Sequence, residues 1–257
     1  MDPKDAFDCD NLSHAEALLM AQQIARDYFQ GELYQRNGTR LGGITIKQED
    51  GSSWELDESQ TGRLFMIPDD SIVWALLVRE DGEAPAGLDV KANNLFMAED
   101  ESSSVIAYRD EEGTALRVDA LFIRRIMLSA DAPERLATVA FGLMAISAYR
   151  LGFRHIALFA AGNGPIDPGD PDGFVGFAVW PKFGFDAPLD PAELNGAPSE
   201  ALRACKSVLD AIAVDPDWWA AHGRGREMQF DLSAGSRSWM ILLNYLYQVL
   251  PPPEVEP

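Results

Sequence analysis

The sequence predicts an α+β fold: a mixed, mostly antiparallel central sheet flanked by helices, with additions at both ends. Three observations point there. Two turn signatures each separate runs of strand-like residues, a long apolar helix pattern lies between two strand patterns, and helix patterns recur near both ends. A chain of 257 residues is long enough to bury one or two cores. With 47% hydrophobic and 24% charged residues it has a globular composition, too apolar for a disordered chain.

Residues 1–12 read as a loose acidic leader. Ser13-His14-Ala15-Glu16 has the form of a capping box, and the spacing of Leu18, Ala21 and Ala25 predicts a helix to about Phe29. Asp50-Gly51 lies between Gly43–Lys47 and Ser53–Leu56, which predicts a hairpin. Ile72–Val78 is a continuous apolar run closed by Asp81-Gly82, the pattern of a strand buried on both faces. Residues 83–103 are loop-like. Ser104–Arg109 and 114–128 predict a second hairpin across Glu111-Glu112-Gly113, with Leu116–Ile123 as a long return strand.

Small polar residues, Pro133 and Glu134 then signal a helix start, and the helix should run to about Leu151 and stop at Gly152. Phe153–Ala160 reads as a strand. A Gly/Pro/Asp-rich loop, 162–173, leads into Phe174–Trp180, and 186–198 is a proline-rich linker. Glu200–Val214 is helical in pattern, and Asp215-Pro216-Asp217 opens a short helix holding Trp218 and Trp219. Met228–Leu232 alternates like a strand. Ser236–Leu250 sets Trp239, Leu242, Leu243, Leu246 and Leu250 on one helical stripe. One domain over 13–250, completed by 199–250, is expected, with 251–257 a mobile tail.

The formal net charge is −20, and it is uneven. Residues 1–120 carry 25 acidic against 10 basic side chains, the remainder 16 against 11. Such a field repels nucleic acid and anionic membrane. It favours a basic protein or an amine-bearing small molecule as partner, or it serves solubility alone. No apolar run reaches the roughly 20 residues of a membrane span, and no apolar segment follows the acidic start as in a secretory leader. Cys9 and Cys205 are far apart and outside any metal spacing, so a reducing, cytoplasmic setting without a metal site is expected. No P-loop, GxGxxG or nucleophile-elbow pattern lies between a strand and a helix.

Two stretches carry a resemblance. Ala148-Tyr149-Arg150-Leu151-Gly152-Phe153-Arg154-His155-Ile156-Ala157-Leu158 is a helix ending in a large residue, glycine and an aromatic before an alternating strand. Trp180-Pro181-Lys182-Phe183-Gly184-Phe185 has the form aromatic-x-Lys-apolar-Gly-Phe. With the strand–helix–strand order over about 116–186, they resemble the cofactor-binding core of the GNAT superfamily of acyl-CoA-dependent N-acyltransferases. The resemblance implies acetyl-CoA or another acyl-CoA as donor, and an amine of a small molecule or protein as acceptor. It puts the pyrophosphate at the start of the central helix, on Arg135, Leu136, Ala137 and Thr138, beside Ile123 and Arg124 of the preceding strand. The physics would be anion binding at a helix N-terminus. Glu134–Val139 contains none of the family's loop glycines, and Trp180 stands where the family often has a tyrosine acid. A non-catalytic GNAT-like binding protein, of immunity or adaptor type, is the alternative.

Asp119, His155 and Tyr149 are the candidate proton-transfer groups, because N-acyl transfer needs a base for the amine proton and an acid for the leaving thiolate. Each has a plainer reading: an outward strand residue, a surface or capping histidine and a core tyrosine. Asp167, Asp170 and Asp172 form a candidate acidic rim for a cationic amine, with Trp180 beside the substrate, or else an ordinary solvated turn. Calcium is disfavoured because the closing glutamate of an EF-hand loop is missing.

Overall fold

The structure, a computed structural model, describes residues 3–48, 51–99, 101–110, 118–167 and 173–252. The chain begins with α1 (Pro3–Phe7), a π-helical turn (Asp8–Leu12), α2 (Ser13–Met20) and α3 (Gln23–Tyr28). The expected leader is therefore helical over its described part. Arg150 binds Asp8 through Nε and Nη2 at 2.9–3.1 Å, and the Tyr149 hydroxyl donates to the Lys4 carbonyl at 3.0 Å. Ser13 caps nothing: the helical backbone already runs through Leu12, so the expected capping box has no free terminus to serve.

The first hairpin forms as expected, with β1 (Ile44–Lys47) antiparallel to β2 (Ser53–Leu56) and Ile46 opposite Trp54. An unexpected short helix follows, α4 (Glu58–Leu64). Its capping box is closed in both directions, Asp57 accepting from the Gln60 N–H at 2.7 Å and Gln60 from the Asp57 N–H at 3.0 Å.

Next comes an antiparallel meander: β3 (Ile72–Val78), β4 (Gly87–Asn93), β5 (Ser103–Tyr108) and β6 (Ala120–Arg125). The expected burial of Ile72–Val78 on both faces is overturned. β3 is first in the strand order and Leu77 is exposed, because an apolar run says nothing about which neighbours a strand has. β4 occupies the segment expected to be loop. Its Asp89 is fully buried, accepting from Ser104 Oγ at 2.6 Å with Lys91 3.6 Å away, so polar residues concealed a central strand. The turn Glu111-Glu112-Gly113, with Leu116 and Arg117, lies outside the described residues.

α5 (Leu136–Leu151) is apolar all round and buried along most of its length. α2 crosses it closely: a Cβ on Gly142 would sit 2.8 Å from Leu19 Cδ1. Gly152 ends the helix in the left-handed conformation, φ 87°, as the sequence predicts. β7 (His155–Asn163) follows. Phe174–Trp180 becomes α6 (Gly176–Val179) and a 3-10 turn (Trp180–Phe183). The expected helix over 200–214 is split into α7 (Glu200–Arg203) and α8 (Val208–Val214), each opened by a serine cap, Ser199 or Ser207. α9 (Pro216–His222) starts on the Asp215 cap with Pro216 in its first turn. β8 (Arg224–Asp231) and α10 (Arg237–Val249) complete the chain. The architecture is mixed α+β, with a six-stranded, mostly antiparallel sheet ordered β3-β4-β5-β6-β7-β8 and helices around it.

The chain divides into two units, Met1–Ile156 with Leu232–Ala234 and Leu246–Pro257, and Ala157–Asp231 with Gly235–Tyr245. The second has an aromatic core. Phe230 packs against Trp239 and Phe185 with ring centroids 5.2 and 5.8 Å apart, and Phe183 meets Tyr245 at 5.2 Å. Arg226 of β8 binds Glu193 and the Pro188 carbonyl, tying the proline-rich segment down. The Arg226 hydrogen bond holds the Glu193 carboxyl below its ordinary range. A depressed carboxylate stabilises the fold above its unfolded pKa of about 4.3 and loses that contribution as pH falls through the folded value. Glu193→Gln should therefore flatten the fall in stability below about pH 4.3. Urea denaturation at stepped pH measures this, and an unchanged slope would dismiss the pair as a source of acid sensitivity.

Candidate functional site

Asp119 and His155 come together at the entry ends of β6 and β7. The Asp119 N–H donates to the Tyr108 carbonyl at 3.1 Å, and the Asp119 carbonyl accepts the Arg154 N–H at 2.7 Å. Backbone pairing on both sides thus fixes Asp119 between the end of β5 and the start of β7. Its carboxylate accepts the Asp110 N–H at 2.9 Å, and Arg154 Nη1 lies 3.4 Å away. The same guanidinium nitrogen is 3.5 Å from Asp110 Oδ2, which is 3.8 Å from His155 Nδ1. On the other side of the ring, His155 Nε2 and the Tyr108 hydroxyl share a hydrogen bond of 2.9 Å.

The result is a connected row: Tyr108, His155, Asp110, Arg154, Asp119. Asp119 is 7% and His155 8% exposed, so neither is the outward residue of the plainer reading. The Tyr108–His155 hydrogen bond can carry a proton between phenol and imidazole, whereas Arg154 ties the two carboxylates by charge and relays no proton. Gln48 borders the row. Its Oε1 accepts the Val118 N–H at 2.6 Å, while its buried Nε2 has no partner among the described residues.

The other predicted residues lie elsewhere. Tyr149 is buried, its hydroxyl on Lys4 and its ring 5.6 Å from that of Phe7. Leu136, Ala137 and Thr138 form the first turn of α5, and Arg135 precedes them at φ 69°. That left-handed conformation, held without a glycine, costs roughly 1–2 kcal/mol. Leu136, Ala137 and Ala140 line an apolar crevice with Phe29, Met97 and Leu128 that encloses about 10 Å³, the room of one water. Arg124 is bound to Asp81 at 2.6 Å, and Arg135 stands 3.6 Å from its neighbour Glu134. Ile123 is buried in β6 opposite Val105.

Asp119 and His155 lie beyond the C-terminal end of α5, whereas Arg135–Thr138 open it. The helix has 16 residues, so about 24 Å of helix axis separates the two groups. Asp167 is exposed, and Asp170 and Asp172 lie outside the described residues. Trp180 is half-buried and packs on Phe183 and Phe185 at 5.9 and 5.3 Å. Among the described residues no cluster of His, Cys, Asp or Glu could hold a metal ion. Nor, among them, is any helix long and apolar enough to cross a membrane.

Sequence reasoning missed Tyr108, Asp110 and Arg154. Strand pairing assembles them from segments 44 to 47 positions apart, and no local pattern reports that. Compared with family models, characterised proteins and solved structures, the chain matches none.

Proposed function

We propose that this protein is a non-catalytic, GNAT-like acidic binding protein whose partner is a basic protein. The observation that carries the reading is the division of the expected apparatus. The proton-transfer groups and the expected pyrophosphate cradle sit at opposite ends of α5, about 24 Å apart along its axis. The first turn of α5 lines a crevice that is mostly apolar, with Phe29, Met66, Met97 and Leu128 around it, which offers a pyrophosphate few groups to bind. A net charge of −20 attracts a basic surface from a distance, and that association should weaken as salt rises.

Acyl-CoA-dependent N-acyl transfer is the second reading. It is favoured by the strand–helix–strand order β6–α5–β7 and by the Tyr108–His155–Asp110 row, a proton path of the kind amine acylation needs. A thermal-shift titration with acetyl-CoA, CoA and desulfo-CoA separates the two. A ligand at 100 times its Kd stabilises by about 2.7 kcal/mol. In a chain of this size that raises Tm by roughly 5–10 °C. The binding-protein reading expects a flat titration to millimolar CoA. A saturable rise that Ala137→Glu abolishes would overturn it. Asp119→Asn should then cut turnover by about 10²-fold with little change in stability.

A further inference from the structure

β3 is an edge strand without the usual protection. Edge strands are kept from pairing by charged side chains, proline, bulges or a covering loop. Ile72-Val73-Trp74-Ala75-Leu76-Leu77-Val78 has no charge, no proline and no glycine. Among the described residues the backbone edge is paired only at its first residues: the Tyr34 N–H donates to the Ser71 carbonyl at 3.0 Å, and the Val73 N–H to the Tyr34 carbonyl at 2.7 Å. Since Val73 points its N–H away from β4, strand alternation points those of Ala75 and Leu77 away as well. Leu77 is 88% exposed, Leu76 49% and Ile72 43%. Leu76 and Leu77 project from opposite faces, so both faces are uncovered where the backbone is open.

We infer that this edge pairs with the same edge of a second copy, antiparallel and two-fold symmetric about Leu77. Three features select that occupant and register. The outward N–H and C=O groups of Leu77 meet those of the second Leu77, and Ala75 meets Arg79, so the bonding residues of both copies coincide. A centre nearer the start of β3 is blocked, because Val73 is already bound to Tyr34. Charge decides the rest. Pairing about Leu77 sets Glu80 opposite Trp74 of the second copy, and Arg36 lies over the Trp74 ring at 4.3 Å. Each copy thus brings an exposed acid to the other's exposed guanidinium, twice, as a two-fold interface requires. Leu76 then packs against Val78 on that face, and Leu77 on Leu77 on the other.

Both copies carry −20, so their mean field opposes the contact and salt should strengthen it. Salt has the opposite effect on capture of a basic partner, which keeps this inference separable from the function proposed above. The test is sedimentation equilibrium of the full chain over a concentration series at low and moderate salt. The expected result is a reversible dimer, tighter at the higher salt. Leu77→Lys should raise its Kd at least tenfold while leaving the melting curve of the monomer unchanged, because that side chain is almost wholly exposed. Arg36→Glu and Glu80→Arg should each weaken the dimer, and the double variant should recover it. A chain that stays monomeric throughout would overturn the inference. So would a dimer indifferent to Leu77→Lys, or a double variant no better than the single ones. A monomer that instead takes up an added unrelated strand would assign the edge to another chain.

Discussion

A chain ending at Gly225 should fail to fold. It lacks most of β8 and all of α10, and with them Met228, Phe230, Trp239 and Leu242, each without exposed surface. Burying such side chains stabilises by about 1.5–3 kcal/mol apiece, so four contribute roughly 6–12 kcal/mol as an upper estimate. That matches the whole stability of an ordinary protein, about 5–15 kcal/mol. Phe183, Phe185 and Tyr245 make the loss mutual, since the rings of Phe183 and Phe185 would face solvent once their partners are gone. The truncated chain should scatter light on expression and show no cooperative melt. Trp239→Ala in the full chain tests the same packing more gently, and should cost about 3–5 kcal/mol in urea denaturation. A soluble truncation with an unchanged Tm would show that the C-terminal block is an appendage.

Asp69→Ala should be among the most damaging substitutions in the first unit. Asp69 is 6% exposed and accepts three backbone N–H groups, from Gln30, Gly31 and Glu32, each at 2.8 Å. The three amides converge because Gly31 is left-handed, φ 95°, which folds the chain after α3 into a concave nest for an anion. A Cβ on Gly31 would lie 2.7 Å from the Ser59 nitrogen, so the position has no room for another residue. Removing the carboxylate leaves three donors beneath a cavity. Hydrogen bonds to a charged group contribute about 1.5–3 kcal/mol each and are not fully additive, so a loss of about 3–5 kcal/mol is expected. In a chain of this length the fall in Tm is roughly 10 °C or more. Asp69→Asn keeps one acceptor oxygen and should fall between. A loss under about 1 kcal/mol for Asp69→Ala would mean that the nest closes without its anion.

The sequence shows one of these two features and conceals the other. Trp239 and Leu242 repeat on a helical period, so the last helix and its buried stripe are legible from the order of residues alone. Asp69, in Pro68-Asp69-Asp70, belongs to no helical or strand period. Its role depends on amides 37 to 39 positions earlier.

The same division runs through the molecule. Local chemistry determined the β1–β2 hairpin, the stop of α5 at Gly152 and the start of α9 at Asp215-Pro216. Those signals act within a few residues, through turn conformation, a left-handed cap and a proline in a first turn. Only the tertiary structure decided that β3 is an edge, that Asp89 is a buried member of a central strand, and that Asp119 and His155 share one row while Arg135–Thr138 stand a helix length away. Strand neighbours and the burial of a charge depend on partners distant in sequence. A single chain records its own period of side chains, and the identity of whatever lies across the sheet is written in another segment.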